Sequence, residues 1–188
     1  MIDSAPVETA AFARSQSAKA SIPEAAYGYC AAKKRHFFGF RLHLLISDRG
    51  AILDFVLSPA DVAERAVAEH LLSAWAGYAV LGDNGFSGRW LASLFGRHGG
   101  RLWFGPRPSS VPQSKAEARL RRFHRGKRAL VETVFAMLAD QFTAETTRAR
   151  SLLGLKTRLV AKLLAYNVSL LLNEILGRPT LAMKSLYM

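Results

Sequence analysis

Cysteine is nearly absent from this sequence: Cys30 stands alone among 188 residues. A single thiol excludes a disulfide scaffold and a cysteine zinc cluster, and it fits a reducing compartment. No run of about 18 uncharged apolar residues occurs, which argues against a membrane-spanning helix. The opening Met1-Ile2-Asp3 has no basic stretch leading into an apolar one, so it does not read as a signal peptide. The glycine signatures of nucleotide binding and serine hydrolysis are missing as well. There is no G-x-G-x-x-G, no G-x-x-x-x-G-K-[ST] and no G-x-S-x-G. Gly126-Lys127-Arg128 lacks both the upstream glycine and the hydroxyl residue of a phosphate loop. The histidines at 36, 43, 70, 98 and 124 lack zinc-ligand spacing.

Acidic residues are scarce too, 14 against 26 Lys and Arg, for a net charge of +12. Half of the residues are hydrophobic, enough for a sizeable core in one domain and too many for a disordered chain. The positive charge is concentrated. Residues 96–128 hold ten Lys or Arg against one acid. Such a block in a globular chain points to a polyanionic partner, most often nucleic acid.

Residues 4–30, rich in Ala and Ser with Pro6 and Pro23, read as a loop. From Lys34 to Ile46 the residues alternate: His36, Phe38, Phe40, Leu42, Leu44 and Ile46 share one strand face, and Phe37, Gly39, Arg41, His43 and Leu45 the other. Asp48-Arg49-Gly50 then marks a turn into a second strand, Ala51–Leu57, which makes a β-hairpin. A helix follows over about 62–75, with Asp61 as its expected N-cap. Tyr78–Leu81 reads as a buried strand ending in the turn Gly82-Asp83-Asn84-Gly85. A short helix over Arg89–Phe95, closed by Gly96, and a strand over Arg101–Phe104 come next. Residues 105–114, with three prolines, form an irregular loop; a long helix runs from Lys115 to Gln141. A last helix, 155–176, is apolar almost all round and is expected to lie buried against a sheet. The order predicts an α/β fold, a mixed sheet with helices on both faces.

Three acids stand in notable places. Asp83 follows a buried strand, where α/β sheets bind ligands, although Asp is also an ordinary turn residue. Glu132 sits where its helix becomes apolar, and Arg121, Arg125 and Arg128 precede it on one stripe. That stripe is either a solvated face or a track for a phosphate backbone. Asp3, read on its own, is an ordinary residue near the start of the chain. The aromatic pair Phe37 and Phe38 reads as core; His43 and Arg41 share a strand face and are candidates to approach the site of these acids, with a packed sheet histidine as the other reading of His43.

Taken together, Lys34-Arg35-His36-Phe37-Phe38-Gly39-Phe40-Arg41-Leu42-His43, Gly82-Asp83-Asn84-Gly85-Phe86, and the helix from Arg128 through Glu132 to Leu138 resemble the catalytic domain of DDE transposases from bacterial insertion sequences. Ile2-Asp3-Ser4-Ala5-Pro6-Val7 resembles that family's first catalytic strand. The resemblance implies a ribonuclease-H-like fold and a metal-dependent DNA cleavage and strand-transfer activity. It assigns Asp3, Asp83 and Glu132 as catalytic residues that hold two Mg2+ ions, for which Mn2+ is a plausible substitute. It matches Arg128 to an arginine of the family helix. Positions where some members carry a tyrosine and a lysine are Arg125 and Ala139 here.

The basic residues Lys115, Arg119, Arg121, Arg122, Arg125, Lys127 and Arg128 are then expected to grip double-stranded DNA, with a homodimer assembled on it and no membrane partner. The implied location is the bacterial cytoplasm, at the nucleoid. The chain reads as one catalytic domain, 1–188, incomplete at its N-terminus. Residues 1–30 are then a first-strand remnant and loop, the C-terminal part of a longer transposase that would carry its end-recognition region upstream. Two other readings stay open: an inactive remnant that only binds DNA, and an unrelated basic nucleic-acid-binding module.

Overall fold

A computed structural model describes residues 1–10, 15, 22–31, 33–86, 88–105, 114–146 and 148–186. Six strands and four α-helices are found among them: β1 (Ile2–Ala10), β2 (Ala26–Cys30), β3 (Arg35–Ile46), β4 (Ile52–Pro59), α1 (Glu64–Ser73), β5 (Ala79–Gly82), α2 (Arg89–Arg97), β6 (Arg101–Phe104), α3 (Lys115–Asp140) and α4 (Leu152–Ile175). The mixed α/β class expected from the sequence is present. The strands form two ladders, however. β1, β2 and β4 all pair antiparallel with β3, and β5 pairs parallel with β6.

The twelve-residue β3 organises the larger sheet. β1 pairs with residues 38–45 along one edge. The other edge is shared end to end by β4, against 40–46, and β2, against 35–39. Both faces of β3 are covered, as its alternation predicts. Phe38, Phe40, Leu42, Leu44 and Ile46 pack with Val131, Val134 and Leu138 of α3 and with Leu155, Leu159, Leu163 and Tyr166 of α4. Leu45, on the opposite face, packs with Ala68, Leu71 and Leu72 of α1 and with Leu91 and Phe95 of α2. Phe37 and Phe38 are both core residues, 2% and 1% exposed.

Residues 4–30, expected from composition to be a loop, contribute most of β1 and all of β2, and β1 includes residues 2–7, the segment that resembles a first catalytic strand. Pro6 hid the first of these. Met1 and Ile46 exchange both main-chain hydrogen bonds, so Asp3, Ala5 and Val7 occupy the hydrogen-bonded pairs. Pro6 falls between them, with its nitrogen facing away from β3, and costs the ladder nothing. On that outer edge the Ser4 amide donates to Asp3 Oδ1 and the Glu8 amide to the Glu145 carbonyl.

Three helix boundaries also differ from expectation. Helix α1 begins after Ala63, which makes no side-chain cap, so Asp61 is not its N-cap. Helix α2 continues through Gly96 to Arg97. Helix α4 starts at Leu152, capped by the Ser151 hydroxyl on the Gly154 amide, and is buried on one side only. Leu155, Leu159, Leu163, Tyr166 and Leu170 face the sheet, while Leu153, Leu164, Leu171 and Ile175 are exposed. Its polar ties explain the orientation: Tyr166 donates to the Gly50 carbonyl, and the Asn167 amide exchanges two hydrogen bonds with the Ile52 main chain. Ser114 caps α3 through the Glu117 amide; the rest of the proline-rich loop, 106–113, lies outside the described residues.

At Gly39 the β1 backbone leaves no room for a side chain on β3. A Cβ there would stand 2.2 Å from the Val7 carbonyl oxygen, a contact that only backbone movement relieves. Gly39→Ala is therefore expected to destabilise the fold by about 2 kcal/mol or more. Chemical denaturation measures this, and an unchanged midpoint would contradict the β1–β3 register.

Candidate active site

Asp3, Asp83 and Glu132 come from a strand, a turn and a helix, and all three line one cavity of about 560 Å³. Asp3 is carried by β1 on the sheet face that packs against α3. Asp83 immediately follows β5, ahead of a single 3-10 turn, Asn84–Phe86. Glu132 projects from α3 one residue beyond the buried Val131. The cavity is strongly acidic for so basic a protein. Asp3, Glu64, Asp83, Glu132, Asp140 and Glu145 line it, against Lys33, Arg41 and Arg128. Six of the chain's 14 acids therefore gather where few would fall by chance.

Arg128 stands among the three acids. Its Nη1 lies 3.4 Å from Asp83 Oδ2, and its Nε donates to Glu132 Oε1 at 3.2 Å. It also acts electrostatically on Asp3. Among the described residues, no three His, Cys, Asp or Glu side chains are grouped so that they could hold a metal ion. The donor set itself suits a hard divalent cation, because it offers only carboxylate oxygens. Two of those carboxylates already share one positive charge in Arg128.

The helix is held to the strand that delivers Asp83. His124 of α3, buried, donates through Nε2 to the carbonyl oxygen of Gly82 at 3.1 Å and packs edge-on against Trp103 of β6. Gly82 in turn lies against Ile2: a Cβ there would come within 3.2 Å of the Ile2 side chain and 2.9 Å of Phe104. The residues flanking Asp3 and Asp83 are thus in van der Waals contact.

The seven expected DNA-contacting residues are all on α3. Lys115, Arg119, Arg122, Arg125 and Arg128 are exposed. Arg121 is half-buried and paired with Glu117 at 2.6 Å, and Lys127 is half-buried with its Nζ donating to the Asp48 carbonyl. Arg119, Arg122 and Lys127 border a second depression beside Phe123. His43 does not reach the acidic cavity. It is fully buried, bonded through Nε2 to the Ser58 hydroxyl and edge-on to Phe86. Burial, with Arg41 nearby, lowers its pKa to about 4, so it is neutral at physiological pH.

The sequence reading passed over Glu64, Lys33, Asp140 and Glu145. Glu64 carried no signal because an acid in the first turn of a helix is ordinary capping chemistry. Asp140 lies two turns beyond Glu132 on the same face of α3, a periodic signal present in the sequence, whereas Lys33 and Glu145 enter the cavity through tertiary packing.

The sequence profile of the transposase DDE domain matches residues 1–168. This chain belongs to the DDE transposase family. No curated protein and no solved structure matches it. As a member of that family the protein is a nucleic-acid-processing enzyme of DNA transposition, and no helix among the described residues is long and apolar enough to cross a membrane.

The electrostatics of the transposase cavity can be tested directly. Burial raises the Asp3 pKa from 3.8 to about 6, opposed by the Ser4 amide and Arg128 and reinforced by Asp83 and Glu64. An acid whose pKa is raised on folding holds its proton more tightly in the folded state. Its contribution to stability is complete below about pH 4 and is lost as pH rises through about 6. In chelator, Asp3→Asn is therefore expected to melt about 2–4 °C above the parent at pH 7.5, with the gap closing near pH 4. Identical thermal melts at pH 7.5 would show that Asp3 is not desolvated.

Proposed function

We propose that this transposase domain, acting as one catalytic unit, cleaves double-stranded DNA and transfers strands at the acidic cavity, with Asp3, Asp83 and Glu132 as the catalytic carboxylates. The observation that carries this reading is that three acids remote in sequence line the same cavity. The strand order β4-β3-β1, with β5 against Ile2 and β6 outermost, supports a ribonuclease-H-like arrangement.

Asp3, Asp83 and Glu132 would hold a pair of divalent cations, Mg2+ by the hardness of the ligands. When bound, such a pair supplies activation of the attacking oxygen and stabilisation of the leaving oxygen in an in-line phosphoryl displacement. The chain's own residues do the rest. The Ser4 amide bonds the Asp3 carboxylate and orients it. Arg128, half-exposed at the cavity and paired with Asp83 and Glu132, would meet a DNA phosphate brought to these acids. The exposed cations of α3 extend this positive track away from the acids. Such phosphate contacts fix register on the duplex without reading sequence. Water attacking a phosphodiester yields a nick with a free 3′ hydroxyl, and that hydroxyl attacking a phosphodiester of a second strand, whose own 3′ oxygen leaves, yields strand transfer; each reaction would place its scissile phosphate against the same acids.

Asp83→Asn and Glu132→Gln are each expected to abolish Mg2+-dependent nicking of supercoiled plasmid, by at least about 100-fold, while leaving DNA binding in place. EDTA should do the same to the parent. Nicking that survives in either variant removes these residues from the chemistry, and binding without any nicking by the parent leaves only a DNA-binding module.

The DNA interface makes a separate prediction. Replacing Arg119, Arg122 and Arg125 together with Ala should weaken binding to all DNA sequences alike. The slope of log K against log salt should become shallower by about 0.9 for each phosphate that is no longer neutralised. An unchanged slope in a fluorescence-anisotropy titration would place the DNA elsewhere.

A further inference from the structure

Among the described residues, Glu64 touches both segments bearing the catalytic aspartates. Its Oε1 accepts from the Ser4 hydroxyl at 2.7 Å and from Arg41 Nη1 at 3.1 Å. Its Oε2 lies against Gly85, where a Cβ would stand only 2.4 Å away. Ser4 is the residue whose amide holds the Asp3 carboxylate, and Gly85 lies two residues beyond Asp83. Arg41 is itself fixed, by donating to the Tyr29 carbonyl and lying over the Phe37 ring. Glu64 therefore ties the start of β1, the turn after β5 and the sheet together from the first residue of α1.

The strand geometry explains why such a tie is needed. Asp3 and Ser4 point to opposite faces of β1, so Asp3 meets α3 while Ser4 meets α1. Among the described residues, the outer edge of β1 has no ladder to β5 that would hold the two aspartates in register.

We propose that Glu64 is a positioning residue for the cation site, acting through Ser4 and the Gly85 turn to hold Asp3 and Asp83 at a fixed separation. This rests on the assignment of Asp3 and Asp83 as cation ligands. Groups that orient metal ligands typically change metal affinity by 10–100-fold when removed.

The test titrates Mn2+ into the DNA-free chain and follows the free-ion signal by electron paramagnetic resonance, with circular dichroism and melting as checks on folding. Glu64→Ala and Ser4→Ala should each weaken Mn2+ binding about tenfold, and the double variant should be no worse than Glu64→Ala alone. Glu64→Gln, which keeps the acceptor for the Ser4 hydroxyl, should restore most of the affinity. Gly85→Ala provides an independent route if Glu64→Ala misfolds: it displaces the carboxylate while leaving Glu64 in the chain, and should weaken Mn2+ binding similarly.

Parental affinity in Glu64→Ala, Ser4→Ala and Gly85→Ala overturns the proposal while leaving the catalytic reading intact. So does binding by Glu64→Gln as weak as that of Glu64→Ala, because charge and not position would then matter. A parent chain that binds no Mn2+, or an Asp83→Asn control that binds as well as the parent, overturns the cation-site assignment itself.

Discussion

Strand β3 is enclosed on every side, and the other elements take their positions from it. A strand paired on both edges and covered on both faces leaves its neighbours little freedom, because slipping the register by one residue would turn every side chain to the wrong face. Phe40, Leu42 and Leu44 commit one face to α3 and α4, and Leu45 commits the other to α1 and α2. The hydrogen bonds between Met1 and Ile46 then settle which way each β1 residue points. The placement of Asp3 towards α3, and of Ser4 towards α1, follows from that single register.

The cavity is an electrostatic inversion. A chain of net charge +12 collects carboxylates at one depression and lines the adjoining helix with cations. Burial, and to a smaller degree the neighbouring carboxylates of Asp83 and Glu64, makes Asp3 hold its proton more tightly. Folding alone does not favour this arrangement; a cation does. Arg128 supplies one positive charge to Asp83 and Glu132 from its own helix. Four residues separate Arg128 from Glu132, one helical turn, so the partner that quiets the acid and the acid itself move as one body. In the proposed reaction DNA would bring further negative charge, to which the neighbouring basic helix is complementary.

Much of the fold was legible because β3 and α3 carry strong periodic signals. The alternation from Phe37 to Ile46 and the length of the 115–140 helix both survive in the structure. In the first thirty residues only the likeness of residues 2–7 to a first catalytic strand gave β1 away; by composition, Pro6 and small residues conceal a strand whose pairing depends on a partner some forty positions away. Helix α4 misled in another way. Apolar residues on all sides do not say which side faces the core, and Tyr166 and Asn167 decide that through bonds to Gly50 and Ile52. At the site, the three acids stood out through their likeness to a transposase. Glu64 did not, because its value lies in reaching Ser4 and Gly85 across the fold.

By itself the sequence determined the charge imbalance, the doubly apolar central strand, the long basic helix and the set of acids available for chemistry. Those are properties of composition and local period, and they need no partner to exist. Only the tertiary structure decided which acids share a cavity, that Arg128 stands among them, and that an acid of another helix clamps two of the segments carrying them. Contacts between residues some sixty positions apart depend on strand register and helix packing, and no local pattern of residues encodes them.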